Sequence, residues 1–224
     1  APNGEFYYDT AGRLRGRFQN TGEYSHILLS DGTGRNLTVA VPAPVAVTGP
    51  WELSVSATQA VSPQAPLVLR LDRLVSWREL PELKYYAGSA TYTTAFDVLP
   101  ELVGDDRGLF LDLGEVFELA RVRINGRDAG TAYTPPFRLD VTELVKPGRN
   151  TLEIEVPNQL KNHLEKADTY RRPSGLLGPV MLVPDRRITM VNTRVPSPAT
   201  VEVRPRPISS EAAKAATTLT ASRR

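Results

Sequence analysis

Apolar and polar residues alternate with a period of two along several short segments of the chain. The clearest examples are WELSV from Trp51, ATYTTAF from Ala90, LFLDL from Leu109 and LEIEV from Leu152. Successive side chains of a β-strand point to opposite faces, so this alternation predicts strands with one buried and one solvated face, as in antiparallel sheets. Before the C-terminal tail, no stretch of about 12 residues has the apolar period of a helix, so βαβ units are not expected. The sequence therefore predicts an all-β fold, an antiparallel β-sandwich or jelly roll.

The turns between these segments support the antiparallel arrangement. INGR, at residues 124–127, places Asn125 and Gly126 at the centre of a two-residue hairpin loop, where a type I′ turn needs two positive φ angles. KPGR, at residues 146–149, places Pro and then Gly at the centre of a type II turn. Both turns predict that the chain reverses direction between neighbouring strands.

The chain divides into three segments of different composition. Residues 1–48 contain a few short strand-like runs and are expected to form an N-terminal β-strand extension of the main body. Residues 49–193 carry the strongest alternation and are predicted to form the sandwich. Residues 194–224 are rich first in Pro and then in Ala, Ser and Thr, with few side chains to bury, so a mobile, flexible C-terminal tail is expected.

Charge and cysteine usage exclude several classes of protein. The 27 Lys and Arg residues are interleaved with the 25 Asp and Glu residues, and the formal net charge is +2. A nucleic-acid-binding surface would cluster its basic residues, so no nucleic-acid partner is expected. No apolar run approaches about 18 residues, so no membrane span is expected. There is no Cys, which excludes disulfides and thiolate zinc sites but does not separate compartments; we expect a secreted or periplasmic bacterial protein.

A long polar insert interrupts the strand pattern after Pro157 and ends only at SGLLGPV, from Ser174. Loops are where rigid folds carry function, and sugars are bound by amides, carboxylates and stacking aromatic rings. The candidate substrate-binding residues in this insert are Asn158, Asn162, His163, Asp168, Tyr170 and Arg171. For His163 a polar contact is expected rather than general-base catalysis, because no Ser and Asp stand at an identifiable spacing from it. The alternative is a polar loop that seals an interface between domains without touching a substrate.

Two further groups of residues are candidates outside the insert. Trp77 and Tyr86 lie in the irregular stretch VSWRELPELKYYAG, where they would either form a platform for a sugar or pack against a partner domain. Asp105 and Asp106, in GDDRG, are weak candidates for a structural calcium site, although Gly and Asp are also typical of a simple turn. No other cofactor is expected.

A series of motifs occurs in the order found in a known family. They are ATYTTAF, LDLGEV, VRINGRDAG, PPFRLDVT, PGRNTLEIEVPN and SGLLGPV, preceded by VTGPWELSV and LDRLVSWRELPELKYYAGSATY. With these motifs the chain resembles the galactose-binding-like β-sandwich of glycoside hydrolases, the sugar-binding domain of the family 2 type. The likeness covers roughly residues 46–184 and is strongest to the C-terminal region of family 106 α-L-rhamnosidases.

The resemblance implies a function without catalysis in this chain. In such glycosidases the catalytic carboxylates lie on a separate (β/α)₈ domain, which nothing here resembles, so no catalytic residue is carried over. The chain is then an accessory domain of an α-L-rhamnosidase-type enzyme acting on plant or bacterial glycans. Its partners are carbohydrate and a catalytic (β/α)₈ domain of the same or a partner polypeptide, whose active site the insert reaches through Asn162, Asp168 and Arg171. A free-standing, lectin-like carbohydrate-binding module is the alternative, and an independent enzyme is the least expected.

Overall fold

The structure is a computed structural model, and it describes residues 4–28, 34–55, 67–158 and 172–189. The strands up to residue 98 are β1 (Gly4–Tyr8), β2 (Leu14–Phe18), β3 (Gly22–Leu28), β4 (Gly34–Val39), β5 (Val45–Ala46), β6 (Trp51–Val55), β7 (Leu67–Leu71) and β8 (Ser89–Val98). Those that follow are β9 (Arg107–Asp112), β10 (Glu115–Phe117), β11 (Ala120–Ile124), β12 (Arg127–Ala132), β13 (Arg138–Asp140), β14 (Gly148–Pro157), β15 (Gly175–Gly178) and β16 (Met181–Thr189). Two short 3₁₀ helices, Trp77–Glu79 and Pro100–Leu102, lie between strands.

These strands form two large sheets and two small ones. One large sheet has the order β12-β11-β14-β8-β6-β7, and the other has the order β1-β2-β16-β9-β13, with β5 hydrogen-bonded to β16. The small sheets pair β3 with β4 and β10 with β15. Every pairing between these strands is antiparallel. The predicted all-β antiparallel sandwich is confirmed, and no helix in the described ranges has the length and hydropathy needed to cross a membrane.

The alternation in the sequence becomes an alternation of burial in the strands. Leu152, Ile154 and Val156 of β14 are fully buried, whereas Thr151 and Glu155 are exposed. Matching positions of β6, β8, β9 and β11 join them in one large hydrophobic cluster. Burial of one aliphatic side chain of this size contributes roughly 1.5–3 kcal/mol. The cluster is therefore the main source of the stability of the sandwich.

The N-terminal strands extend one of the large sheets. β2 pairs with β16, with Arg17 opposite Arg187, and β1 continues the sheet beyond β2. Phe18, Tyr24 and Val39 form a second, smaller hydrophobic cluster of their own. The segment boundaries at residues 48 and 193 remain a prediction, and the predicted tail, 194–224, lies outside the described residues.

The hairpin predicted at INGR is confirmed. Ile124 pairs with Arg127, and the two residues between them, Asn125 and Gly126, have φ angles of 52° and 76°. Positive φ is strained for a residue with a Cβ, although Asn tolerates it better than most. In the neighbouring KPGR turn, Gly148 has a φ of 80°, as the third position of a type II turn requires.

The side chain of Asn125 joins this hairpin to the neighbouring turn. Its Nδ2 donates to the Leu144 carbonyl at 3.0 Å and to Asn150 Oδ1 at 2.8 Å. Its Oδ1 accepts the Thr151 main-chain N–H at 3.1 Å. Since Asn150 is itself 1% exposed, the bond that it accepts from Asn125 satisfies a buried polar side chain.

We expect Asn125→Ala to lower the free energy of unfolding by about 2–3 kcal/mol, because it removes these side-chain hydrogen bonds and leaves a Cβ at positive φ. Asn125→Gly loses the same bonds without the backbone strain and should be more stable than the alanine variant by about 1 kcal/mol. Urea unfolding measures both differences in the free energy of unfolding, and an unchanged dependence of that free energy on urea concentration shows that the variants are comparable. Equal stability of the two variants would contradict a strained turn at this position.

Candidate functional site

Asn158, the first residue after β14, fixes the start of the polar insert. Its main-chain N–H donates to the Gly88 carbonyl at 2.8 Å, and its Nδ2 donates to the Tyr86 carbonyl at 2.9 Å. The amide of this candidate therefore holds the chain at the point where the insert leaves the sandwich. A contact between Asn158 and a sugar remains a prediction.

The other end of the insert returns to the same region of the sandwich. The Ser174 N–H donates to Ser76 Oγ at 3.1 Å, and the Trp77 N–H donates to the Ser174 carbonyl at 3.1 Å. Ser174 is 1% exposed, so this anchor lies inside the protein. Both ends of the insert are thus held on residues 76–88. The remaining candidates of the insert lie outside the described residues: Asn162, His163, Asp168, Tyr170 and Arg171.

The rings of Trp77 and Tyr86 are buried, which corrects their assignment to a sugar platform or to the surface facing a partner domain. Trp77 is 0% exposed and Tyr86 is 5% exposed. The two rings meet edge to face with centroids 5.8 Å apart, and Trp77 stacks on Tyr92 at 6.5 Å. The physical reason is that this irregular segment adds its large side chains to the main hydrophobic cluster. Both rings therefore belong to the core of this chain.

The hydroxyl group of Tyr92 organises the core beneath the end of the insert. It accepts hydrogen bonds from Trp77 Nε1 and, at 3.0 Å, from the Leu176 main-chain N–H. Gly175 permits this contact: its φ is 87°, and a Cβ built there would lie 2.6 Å from the Tyr92 hydroxyl oxygen. The close packing on Tyr92 therefore explains why Gly follows Ser at the end of the insert. Burial raises the pKa of Tyr92 to about 12, although both hydrogen bonds act in the opposite direction.

This pKa shift predicts a loss of stability in alkaline solution. Between about pH 10 and pH 12 the unfolded chain ionises Tyr92 while the folded chain keeps it neutral, so rising pH favours unfolding. We expect Tyr92 to contribute a fall of about 2 kcal/mol in the free energy of unfolding across this range, and nothing below it. Urea titrations of the protein and of Tyr92→Phe at several pH values measure the difference. If the free energy of unfolding depends on pH in the same way in both proteins, the raised pKa of Tyr92 is refuted.

Asp105 and Asp106, the weak calcium candidates, lie in a turn, and the carboxylate of Asp106 is paired with arginines. Asp106 Oδ2 lies 2.7 Å from Arg186 Nη2, and Asp106 Oδ1 lies 3.9 Å from Arg107 Nε. The Asp106 carbonyl also accepts the Arg187 main-chain N–H at 2.8 Å. Two guanidinium groups beside one carboxylate oppose the binding of a cation. In the part of the chain that the structure describes, no three His, Cys, Asp or Glu residues lie close enough together to hold a metal ion.

A cavity of about 520 Å³ lies beside this turn, and no sequence motif predicts it. We call it the arginine cavity; its polar lining consists mainly of Arg13, Arg15, Arg107, Arg187, Asp105 and Glu143. Arg15, Arg187 and Arg107 come from β2, β16 and β9, which are neighbours in one sheet. Their meeting depends on strand pairing between distant parts of the chain, for which no local motif exists.

Two aromatic rings near strand ends stay at the surface. Tyr133, just after β12, is 70% exposed, and Tyr85 is 42% exposed. Tyr85 has the Lys84 ammonium group 5.3 Å from its ring centroid. Both rings are therefore accessible from the solvent.

The two large antiparallel sheets around one hydrophobic cluster define a galactose-binding-like β-sandwich. Residues 74–189, more than half of the chain, match the family described as glycosyl hydrolase 2 galactose-binding domain-like. The chain belongs to this family, which confirms the predicted relation to glycoside hydrolases.

Individual relatives are much longer than this chain. A putative β-glucuronidase of Formosa agariphila is 35% identical over 164 residues, which make up 72% of this chain and 14% of that relative. The rhamnosidase of Novosphingobium sp. PP1Y has 28% identity and a TM-score of 0.56, over 83% of this chain and 25% of the enzyme. A β-glucuronidase from an uncultured Clostridium sp. shares the fold at 23% identity and a TM-score of 0.51, over 67% of this chain and 30% of its own. The chain thus spans between about one seventh and one third of these relatives.

Proposed function

We propose that the chain is a non-catalytic accessory domain of a glycoside hydrolase, docked on a catalytic (β/α)₈ domain of the same or a partner polypeptide. The observation that carries this proposal is the family match over residues 74–189. Relatives that contain such a domain are several times longer than it, which leaves room in them for a separate catalytic domain. A secreted or periplasmic location, where polymeric glycans are met, belongs to the same proposal.

The enzyme type that we propose is an α-L-rhamnosidase of family 106. The structural similarity to the Novosphingobium rhamnosidase extends over 83% of this chain, against 67% for the β-glucuronidase from an uncultured Clostridium sp.. The sequence motifs from VTGPWELSV to SGLLGPV support the same choice. Hydrolysis of a uronide by the complete enzyme is the competing outcome, and assays with aryl α-L-rhamnoside and aryl β-D-glucuronide separate the two.

The polar insert is the part that we propose to reach the neighbouring active site. Its ends are hydrogen-bonded to segment 76–88 by Asn158 and Ser174, and fixed ends lower the entropy lost when a loop positions a substrate. Its carboxylate, amide, imidazole, phenol and guanidinium groups suit sugar hydroxyls. The proposed contacts come from Asn162, His163, Asp168, Tyr170 and Arg171.

In a polypeptide that joins this chain to its catalytic domain, we expect Asp168→Asn to lower kcat/KM for an aryl α-L-rhamnoside about tenfold. The reason is the loss of a charged acceptor for a sugar hydroxyl, a bond of roughly 1.5 kcal/mol or more. Asp97→Asn is the matched control, because Asp97 is an exposed residue of β8 whose carboxylate pairs with the exposed Arg149. Equal kcat/KM in Asp168→Asn and Asp97→Asn would overturn the role of the insert.

A free-standing carbohydrate-binding module is the second candidate, and the arginine cavity favours it, because that cavity lies within the sandwich itself. Calorimetric titration of the 224-residue chain with rhamnose-containing oligosaccharides tests this alternative. Binding of a rhamnose-containing oligosaccharide by the chain alone supports a module, and absence of that binding together with activity in the joined polypeptide supports an accessory domain. Turnover of an aryl rhamnoside by the pure chain would overturn both.

A further inference from the structure

The arginine cavity is large enough for a small ligand and has a mixed lining. Its volume of about 520 Å³ falls within the range of ligand sites in proteins. Apolar side chains, including Val103 and Val145, lie beside its charged groups. Ligand sites commonly combine an apolar lining with a few convergent polar groups. The arrangement of charge within the lining shows which ligand would fit.

Two of the four arginines already have carboxylate partners. Arg13 Nε lies 2.8 Å from Asp9 Oδ2. Arg187 contacts two carboxylates, with Nη2 2.7 Å from Asp140 and Nε 3.0 Å from Asp185. These pairs neutralise their own charge, so Arg13 and Arg187 contribute little net attraction for an anion.

Arg15 and Arg107 differ from the other two arginines. Arg15 donates to Thr189 Oγ1 at 2.6 Å and to the Asp105 main-chain carbonyl at 3.3 Å, both of which are uncharged acceptors. Arg107 has an aspartate oxygen only at 3.9 Å, and the other oxygen of that carboxylate is held at 2.7 Å by Arg186. Both arginines are partly buried. Within the described ranges, no carboxylate lies within hydrogen-bond distance of either guanidinium group.

Partly buried guanidinium groups that share a cavity repel each other, and an oxyanion bound between them relieves that repulsion. Arginine binds carboxylate and other oxyanions through paired N–H donors, and such charge-assisted bonds are among the strongest hydrogen bonds in proteins. The side-chain carboxylates of Asp105 and Glu143 have no ion-pair partner among the described residues, and they face the same space. Carboxylates of this kind accept hydrogen bonds from hydroxyl groups. The cavity therefore offers sites for one anionic group and for neighbouring hydroxyls.

We propose that the arginine cavity binds an acidic sugar residue, whose carboxylate or sulfate lies between Arg15 and Arg107 and whose hydroxyls donate to Asp105 and Glu143. A uronic acid and a sulfated sugar share this chemistry, and titration with one of each distinguishes them. The inference does not depend on the docking proposed above, because none of the described residues that line the cavity belongs to the insert. Failure of either proposal leaves the other standing.

Calorimetric titration of the 224-residue chain with digalacturonate, galactose 6-sulfate and uncharged galactobiose tests the proposal. We expect at least one acidic sugar to bind about tenfold or more tightly than galactobiose, with an affinity that falls as salt is added. The two acidic probes show whether carboxylate or sulfate is preferred. Equal affinity for galactobiose, or no binding of either acidic sugar, would overturn the proposal. Inorganic sulfate bound as tightly as the acidic sugars would also overturn it, because the site would then not recognise a sugar.

Substitutions locate the site. Arg15→Gln and Arg107→Gln should each weaken binding of the acidic sugar about 10- to 100-fold. Arg149→Gln is the matched control: it removes the same charge at a 70% exposed position on the other large sheet and should leave binding unchanged. Wild-type affinity in both cavity variants would contradict the assignment. If either variant unfolds, NMR of the unaltered protein tests the same point. Binding in the cavity should change the chemical shifts of both the Arg15 and the Arg107 Nε–H groups, and unchanged shifts would contradict the proposed site.

Discussion

Replacement of Gly175 by alanine is expected to lower the free energy of unfolding by about 4 kcal/mol. The backbone there has a φ of 87°, where a residue with a Cβ costs about 1–3 kcal/mol. The added carbon would also lie 2.6 Å from the Tyr92 hydroxyl oxygen and 2.7 Å from Trp77 Cδ1, far inside van der Waals contact. Both neighbours are fully buried aromatic residues with no space into which to move, so overpacking adds about another 1–3 kcal/mol. Urea unfolding, followed by Trp fluorescence, measures the loss.

Gly126→Ala is the matched control for this substitution. Gly126 has a similar φ of 76°, but a Cβ there meets nothing within 4 Å. We expect it to cost only the backbone strain, about 1–2 kcal/mol. If the two alanine variants prove equally stable, the close packing around Gly175 is wrong and the Ser-Gly pair needs another explanation.

Much of the sandwich was predictable because its cause is local. The alternation around Leu152 and Ile154 reports the pleat of a strand directly, and the Asn125-Gly126 pair reports the geometry of a turn. Each signal needs only a few consecutive residues. The family motifs then placed these strands in the correct type of fold.

The candidate aromatic residues were misplaced because the segment that carries them is irregular. Trp77 lies in a 3₁₀ helix and Tyr86 follows a series of turns, so neither has the period of two that distinguishes inward from outward positions. Burial of such residues is decided by tertiary contacts, here with Tyr92 and the main hydrophobic cluster. An aromatic residue in an irregular segment therefore gives no indication, from sequence alone, of whether it is core or surface.

The arginine cavity shows a second limit of sequence reasoning. Arg15 and Arg107 are far apart in the chain, and β16 lies between their strands in the sheet. Their proximity depends on the register of β16 against both β2 and β9, which sets Arg187 opposite Arg17 and Arg186 opposite Arg107. The same register brings Arg186 to the Asp106 carboxylate, so one of the two weak calcium candidates forms an ion pair with an arginine.

Tyr92→Phe is expected to lower the free energy of unfolding by about 3 kcal/mol although it changes shape very little. The variant leaves two donors without an acceptor, Trp77 Nε1 and the Leu176 main-chain N–H, and each unsatisfied buried donor costs about 1–3 kcal/mol. Tyr24→Phe is the control: it removes a hydroxyl that donates to the Asn20 carbonyl at 2.8 Å in the smaller cluster, and it should cost about 1 kcal/mol. Similar losses in the two variants would mean that the Tyr92 hydroxyl does not serve as a shared acceptor.

The Tyr92 and Gly175 substitutions should also be coupled. The hydroxyl that Tyr92→Phe removes is one of the atoms against which the methyl group of Gly175→Ala would press. The alanine should therefore cost less in the phenylalanine background, by about 1 kcal/mol, as neighbouring sites that share a contact are not additive. If the two changes in the free energy of unfolding are strictly additive in this double-mutant cycle, the two residues are not in contact. A measured coupling would tie the glycine at the end of the insert to the core beneath it, and so link the position of the insert to the packing of the sandwich.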